Sequence, residues 1–228
     1  MLPLVLLAGM NCTHDLWADA GLDDAIRPNL DHESMDEQVA ALRDELPERF
    51  VIAGLSLGGI VAMALALAVP ERIAGLCLIS TNAKAPTPAQ LDGWRAWTER
   101  LDAGEDPRGL QRSILSSLLS PGALDERPDL AERVLAMGDA TGAETLRAQL
   151  RMQSTRVDLL GRLSSLRMPT LVVSGIDDAI CPPRFHTEIV AEIEGARLIS
   201  YDAGHLLPLE RPREFGRLLG AWRARLRD

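Results

Sequence analysis

Cysteine is scarce in this 228-residue chain, and the three present, Cys12, Cys77 and Cys181, are an odd number set far apart. They build neither a disulfide framework nor zinc-ligand spacing, which points to a reducing compartment, the cytoplasm. Positive charge is short as well: 24 Lys and Arg stand against 33 Asp and Glu, a net charge of −9. Nucleic acid and anionic membrane surfaces both need a basic face, so neither is expected as a partner. Uncharged runs of membrane-spanning length are missing. The apolar start, Leu2-Pro3-Leu4-Val5-Leu6-Leu7, has no basic residue ahead of it and is short for a signal-peptide core, so the chain reads as soluble. Internal repeats and low-complexity segments are absent too. What the chain does have is a 46% hydrophobic content, enough to bury a full core in one domain carrying an insertion.

The most informative stretch is Phe50-Val51-Ile52-Ala53-Gly54-Leu55-Ser56-Leu57-Gly58-Gly59. A buried strand runs into Gly-x-Ser-x-Gly, and an Ala- and Leu-rich helix from Ile60 to Val69 follows until Pro70 closes it. Strand, Gly-flanked Ser and helix together make a nucleophile elbow. The turn forces an unfavourable backbone at Ser56, and Gly54 and Gly58 remove Cβ atoms that would collide with the neighbouring strand and helix. The hydroxyl is then held clear of the sheet, at the positive end of a helix.

Around this elbow, strands and helices alternate. Leu2 to Leu7 reads as a buried parallel strand leading into the loop Ala8 to His14, with Trp17 beyond. Asp24 to Leu30 is a weaker strand, interrupted by Arg27 and Pro28. Ser34-x-x-Glu37 caps a helix with Met35, Val39, Leu42 and Leu46 on one face. After the elbow, Ile73 to Ser80 is another strand. From 82 to about 168 the alternation stops, and only amphipathic helices follow. Their stripes are Leu91, Trp94, Trp97 and Leu101; Leu110, Ile114 and Leu118; and Leu130, Val134 and Met137, stopped by Gly138. A second capping box, Thr141-x-x-Glu144, precedes Leu146 and Leu150. The strand Thr170 to Ser174, a helix from Pro183 to Ile193, the strand Ala196 to Tyr201 and a last helix through Phe215, Leu218, Leu219, Trp222 and Leu226 resume the pattern. Residues 1–82 and 169–228 thus read as the core and 83–168 as an inserted helical cap. Strands joined through helices give a parallel sheet with reactive groups at the carboxyl ends, where Ser56, Asp177 or Asp178, and His205 all fall.

Ser, then an acid, then His is the order found in the α/β-hydrolase family. Nearly the whole chain resembles that family, from Leu4-Val5-Leu6-Leu7-Ala8-Gly9 through the Ser56 elbow to Gly204-His205 with Glu210-Arg211-Pro212. In the family's late acidic motif the matching positions are Gly175, Asp178 and Pro182, so the resemblance makes Asp178 the acid and Asp177 its neighbour. It also assigns the backbone N–H groups of Leu57 and Met10 to an oxyanion hole. The usual N-terminal antiparallel hairpin is missing, which leaves a mostly parallel six-stranded sheet with helices on both faces. Ala8-Gly9 stands where many relatives have His-Gly.

Other residues carry two readings each. His14 and Asn11 line the site from the loop or merely stabilise it. Trp94 and Trp97 line an acyl pocket or pack the cap. His32, between Asp31 and Glu33, reads as a solvated turn rather than a metal ligand, and His186 as a surface residue. Cys181 lies near Asp178 with nothing to activate its thiol. The resemblance implies a serine hydrolase needing no metal or other cofactor. Its substrate would be a small-molecule ester or thioester with a small to medium, largely uncharged acyl group. Ser56 would attack, His205 relay protons and Asp178 orient His205, and water would then release the acyl group. A thioesterase or lactonase would use the same triad. A binding protein on the same fold without turnover is the alternative from another class. Dehalogenase and epoxide-hydrolase chemistry is disfavoured, since those relatives have Asp where Ser56 stands.

Overall fold

The computed structural model describes residues 2–226. Five parallel strands, β1 (Leu4–Leu7), β2 (Phe50–Leu55), β3 (Ile73–Ile79), β4 (Thr170–Gly175) and β5 (Arg197–Tyr201), lie side by side in chain order. Strands β1 to β4 are buried throughout, as strands covered on both faces must be, whereas β5 is a partly exposed edge. The sixth expected strand, Asp24 to Leu30, shrinks to a single bridge between Ile26 and Val5. Ile26 exchanges backbone hydrogen bonds with Leu4 and Leu6 at 2.8 and 2.9 Å. Pro28, which has no N–H to offer, ends the pairing two residues later.

A sheet whose strands follow in order, joined by right-handed crossovers, must send its connecting helices to one face. Helices α1 (Met35–Glu45) and α2 (Leu57–Ala68) do so, covering Val5, Leu7, Ile52, Leu76 and Val172 with Leu42, Ile60 and Met63. The other face, with Leu4, Leu6, Val51, Ala53 and Val173, is closed by the loop after β1 and by the end of the chain. There Trp17 meets Phe215 with ring centroids 5.9 Å apart.

Between β3 and β4 the described chain is helical: α3 (Pro88–Asp102), α4 (Pro107–Ser113), α5 (Leu115–Leu118), α6 (Pro121–Glu126) and α7 (Pro128–Thr155), then a 3-10 turn at Leu160–Ser165. Thr87 caps α3 with a full capping box to Gln90. Gly138 does not stop α7. The break falls at Gly142, whose φ of 76° leaves the helical region, and Thr141 turns its hydroxyl back to the Met137 carbonyl at 2.9 Å instead of capping a new helix. After β4 come α8 (Pro183–Glu192), α9 (Leu207–Glu210) and α10 (Pro212–Arg223).

Candidate active site

Ser56 sits between β2 and α2 with φ 54° and ψ −115°, in the left-handed region that costs a non-Gly residue on the order of 1–3 kcal/mol. Helix α2 begins at the very next residue, so the turn has no slack. A Cβ on Gly54 would lie 2.2 Å from the Gly58 carbonyl oxygen, and one on Gly58 the same distance from that of Leu7. Only glycine permits so close an approach. The Ser56 N–H donates to Ile79 O at 3.0 Å, and its carbonyl accepts from the Thr81 hydroxyl at 2.8 Å. The Ser56 side chain does not cap the helix, which leaves its hydroxyl free.

Asp178 and His205 meet at the carboxyl ends of β4 and β5. His205 Nδ1 lies 2.9 and 3.0 Å from the two carboxylate oxygens, both side chains being buried. Oδ1 of Asp178 also accepts from the backbone N–H groups of Ile180 at 2.9 Å and Cys181 at 2.7 Å. Burial pushes the Asp178 carboxyl up, but the imidazole beside it and the Cys181 N–H outweigh that and hold it below its ordinary value. An ionised carboxylate only accepts, so Nδ1 carries the proton and Nε2 presents a lone pair. Asp177 is exposed, with its backbone N–H on Ala203 O. The loop bearing His205 is tied down by Glu210, whose carboxylate accepts from the Gly204 N–H, the Ser120 N–H and the Ser120 hydroxyl at 2.9, 3.1 and 2.6 Å.

Ser56 and His205 line one cavity of about 100 Å³, without a hydrogen bond between them. In such sites this contact often tightens only around a bound substrate. Met10 lines the cavity too, and the N–H groups of Met10 and Leu57 have no acceptor among the described residues. Leu57 opens α2, where orphan N–H groups are expected.

Asn11 turns away from this cavity. From a left-handed φ of 56° its side chain donates to Pro107 O and Gln111 Oε1 at 3.0 and 2.9 Å, and its N–H donates to Gln149 Oε1 at 2.8 Å. It clips the loop after β1 to α4 and α7. His14 lines a different, larger cavity of about 290 Å³ behind that loop, which contains none of Ser56, Asp178 and His205. Trp94 lines the Ser56 cavity, whereas Trp97 packs half-buried beside Leu101, Leu110, Leu146 and Leu150.

His186, expected on the surface, is fully buried. Its spacing with Ile189 and Ile193 on the inner stripe of α8 was the available signal. Its Nε2 accepts from the Thr81 N–H at 3.0 Å, so one residue joins His186 to the carbonyl of Ser56. Sequence reasoning also missed most of the cavity's polar wall: Asn82, Gln90, Gln111, Gln153 and Arg156. Gln153 and Arg156 are three residues apart, but they and the other three come from separate parts of the chain that no spacing links. Cys181 lies in the same cavity, and burial pushes its thiol up to about 12. Among the described residues no group of three His, Cys, Asp or Glu is disposed to hold a metal, and no helix is long and apolar enough to cross a membrane.

The alpha/beta hydrolase family model matches residues 5–218, and the chain belongs to that family. A pimeloyl-[acyl-carrier protein] methyl ester esterase of Nitrosomonas europaea is 29% identical over 192 residues, 80% of this chain and 75% of that protein. A 3-oxoadipate enol-lactonase of Acinetobacter baylyi is 24% identical over 188 residues, 80% of this chain and 67% of that one. Among solved structures, a thermophilic esterase from Thermogutta terrifontis, with malate bound, superposes with a TM-score of 0.89 at 26% identity, covering 97% of this chain and 89% of that one.

Proposed function

We propose that this hydrolase cleaves a carboxylic ester of a small to medium acyl group through an acyl-enzyme on Ser56. The observation that carries the reading is the buried Asp178–His205 pair opening onto the same cavity as a strained, uncapped Ser56. His205 Nε2 takes the Ser56 proton as the hydroxyl attacks, and Asp178 stabilises the imidazolium. The N–H groups of Met10 and Leu57 receive the oxyanion. The imidazolium then returns its proton to the leaving alcohol, and a water activated by the same imidazole releases the acid. The helices between 83 and 168 act as a cap over the pocket. Both an ester and an enol-lactone are named for relatives of similar identity, and a cyclic ester would pass through the same intermediate. Three unpaired, buried thiols fit a cytoplasmic setting.

The test is a fluorophosphonate label with peptide mapping, alongside turnover of a methyl ester, a thioester and a lactone. Labelling at Ser56 with ester turnover supports the reading. Labelling with faster thioester or lactone turnover transfers it to that bond. No labelling and no turnover leaves a binding protein on this fold.

A further inference from the structure

The roof of the Ser56 cavity holds a charge that the protein does not neutralise. Arg156 follows the last turn of α7 and is 6% exposed. Its Nη1 donates to Gln153 Oε1 at 2.7 Å and its Nη2 to Gln90 Oε1 at 3.1 Å, and the guanidinium stands 5.2 Å over the Trp94 ring. All four of these residues line the cavity. A guanidinium has five N–H donors. The Nε–H has no partner, and one N–H remains on each Nη.

No carboxylate pairs with Arg156 among the described residues. Its burial sets it apart: Arg95, Arg100, Arg108, Arg127, Arg133, Arg147 and Arg151 of the same insertion each pair with an Asp or Glu, and Arg112, Arg162 and Arg167, which do not, are exposed to water. A chain with 33 acidic residues could easily have supplied a partner. Burial lowers the Arg156 guanidinium to about 10, so it is still a cation at neutral pH, and the Cys181 thiol beside it is protonated there and offers no counter-charge. Leaving a buried cation unpaired is costly unless something arrives to pair with it. Apart from Ser56, His205 and the thiols of Cys12 and Cys181, the remaining polar lining, Asn82, Gln90, Gln111 and Gln153, is amide, which stabilises charge without cancelling it.

We infer that Arg156 receives a carboxylate carried by the substrate, so that the preferred substrate is a monoanionic ester with its charged end under the cap and its ester carbon at Ser56. The inference rests on the proposed esterase reading and narrows it, replacing the largely uncharged acyl group expected from sequence. A carboxylate suits the site because a planar guanidinium fork matches it two bonds at a time. One cation held by two amide oxygens and a ring face suits a single negative charge, whereas a phosphate dianion would keep an unbalanced one.

The experiment compares matched esters. On the acyl side, monomethyl esters of C4 to C8 dicarboxylic acids are set against methyl esters of monocarboxylic acids of equal carbon count. On the alcohol side, acetyl esters of hydroxyalkanoic acids are set against acetyl esters of the corresponding alkanols. Wild type should favour the charged member of one series by about tenfold to a hundredfold in kcat/KM, the range of a charge-assisted pair; the series showing it tells which end carries the charge. Arg156→Met should bring that ratio to about one, and Arg156→Lys should keep part of it. A ratio near one in both wild-type series overturns the inference, as does a ratio that survives in Arg156→Met while both rates fall together, the mark of a residue that only ties α3 to α7. Should Arg156→Met not fold, calorimetric titration of Ser56→Ala with a charged ester and its neutral match decides, since equal affinities overturn the inference. The same titration separates the two readings. If wild type hydrolyses no ester the proposed function falls, while tighter binding of the charged ester to Ser56→Ala still places a carboxylate at Arg156.

Discussion

Asp178, behind the His205 that floors the cavity, and Arg156 in its roof are both buried charges, 3% and 6% exposed, and they are held in opposite ways. Asp178 is saturated: two backbone N–H groups and an imidazole take its oxygens, and its ionised form is favoured. Arg156 has two amide oxygens and a ring face, keeps donors in hand, and has its charged form disfavoured by burial. A saturated charge can only hold its neighbours in place. An unsaturated one can receive something new. The floor is built from strand ends, where the backbone supplies fixed donors, and the roof from side chains on helices, where selectivity is set without moving the reacting atoms.

The sharpest way to break this contrast is to spoil the floor. Asp178→Asn leaves an amide beside His205 that can hold the wrong tautomer, and kcat should fall by at least two to three orders of magnitude. The exposed Asp177→Asn should stay within about tenfold, as a loop change outside the triad. Steady-state kinetics on both variants with one activated ester checks this. If Asp177→Asn were the crippled one, the carboxylate facing His205 would not be the working one.

Local rules made the floor readable. Gly-x-Ser-x-Gly between a strand and a helix constrains three consecutive elements at once, while the choice of Asp178 over Asp177 comes from resemblance to the family's late acidic motif, and the structure puts Asp178 against the imidazole. Nothing of that kind marks the roof. Gln90 and Arg156 are 66 residues apart and meet only because α3 packs against the end of α7. His186 was misread because a helical His is usually solvated. The sixth strand, already weakened in the sequence by Arg27 and Pro28, comes down to a single bridge.

A second effect sharpens the picture of the floor. Burial lowers the His186 imidazole to about 4, with Asp178 opposing and His205 reinforcing the shift. Its folded value lies below its unfolded one, so the unfolded chain binds the extra proton between pH 6.5 and 4. Stability is therefore full above about pH 6.5 and falls as the pH drops toward 4, by on the order of 3 kcal/mol. Melting curves across that window should show the loss. His186→Gln, which offers Thr81 an acceptor but does not titrate, should melt with a flatter pH dependence even if its Tm is lower throughout. An unchanged slope would remove His186 as the source.

The smallest expected effects belong to the roof. Trp94→Ala should reorder a series of ester chain lengths by about tenfold or less, the range of a methylene or two in a pocket. Trp97→Ala should leave that order alone and cost roughly 1–3 kcal/mol of stability, less than a fully buried Trp because the ring is half-exposed. A chain-length series and a melting curve on each variant separate the two. If Trp97→Ala reorders the series, the pocket extends further under α3 than the Ser56 cavity does.

The bond from Arg223 to Leu2 gives the molecule a timetable. The guanidinium of Arg223 in α10 donates to the Leu2 carbonyl at 3.0 and 2.7 Å, joining residues 221 positions apart. Contacts that distant form late and slow the folding of a chain. At ribosomal speeds of about 5–20 residues per second, more than ten seconds separate the emergence of β1 from that of α10. Through that interval the sheet face carrying Leu4, Leu6, Val51 and Val173 lacks Phe215 and Leu219, the side chains that finish covering it. Until Pro212–Arg223 has emerged, the nascent chain therefore carries an unfinished, adhesive sheet face. Helix α10, which carries none of the proposed reacting groups, decides when that face is closed.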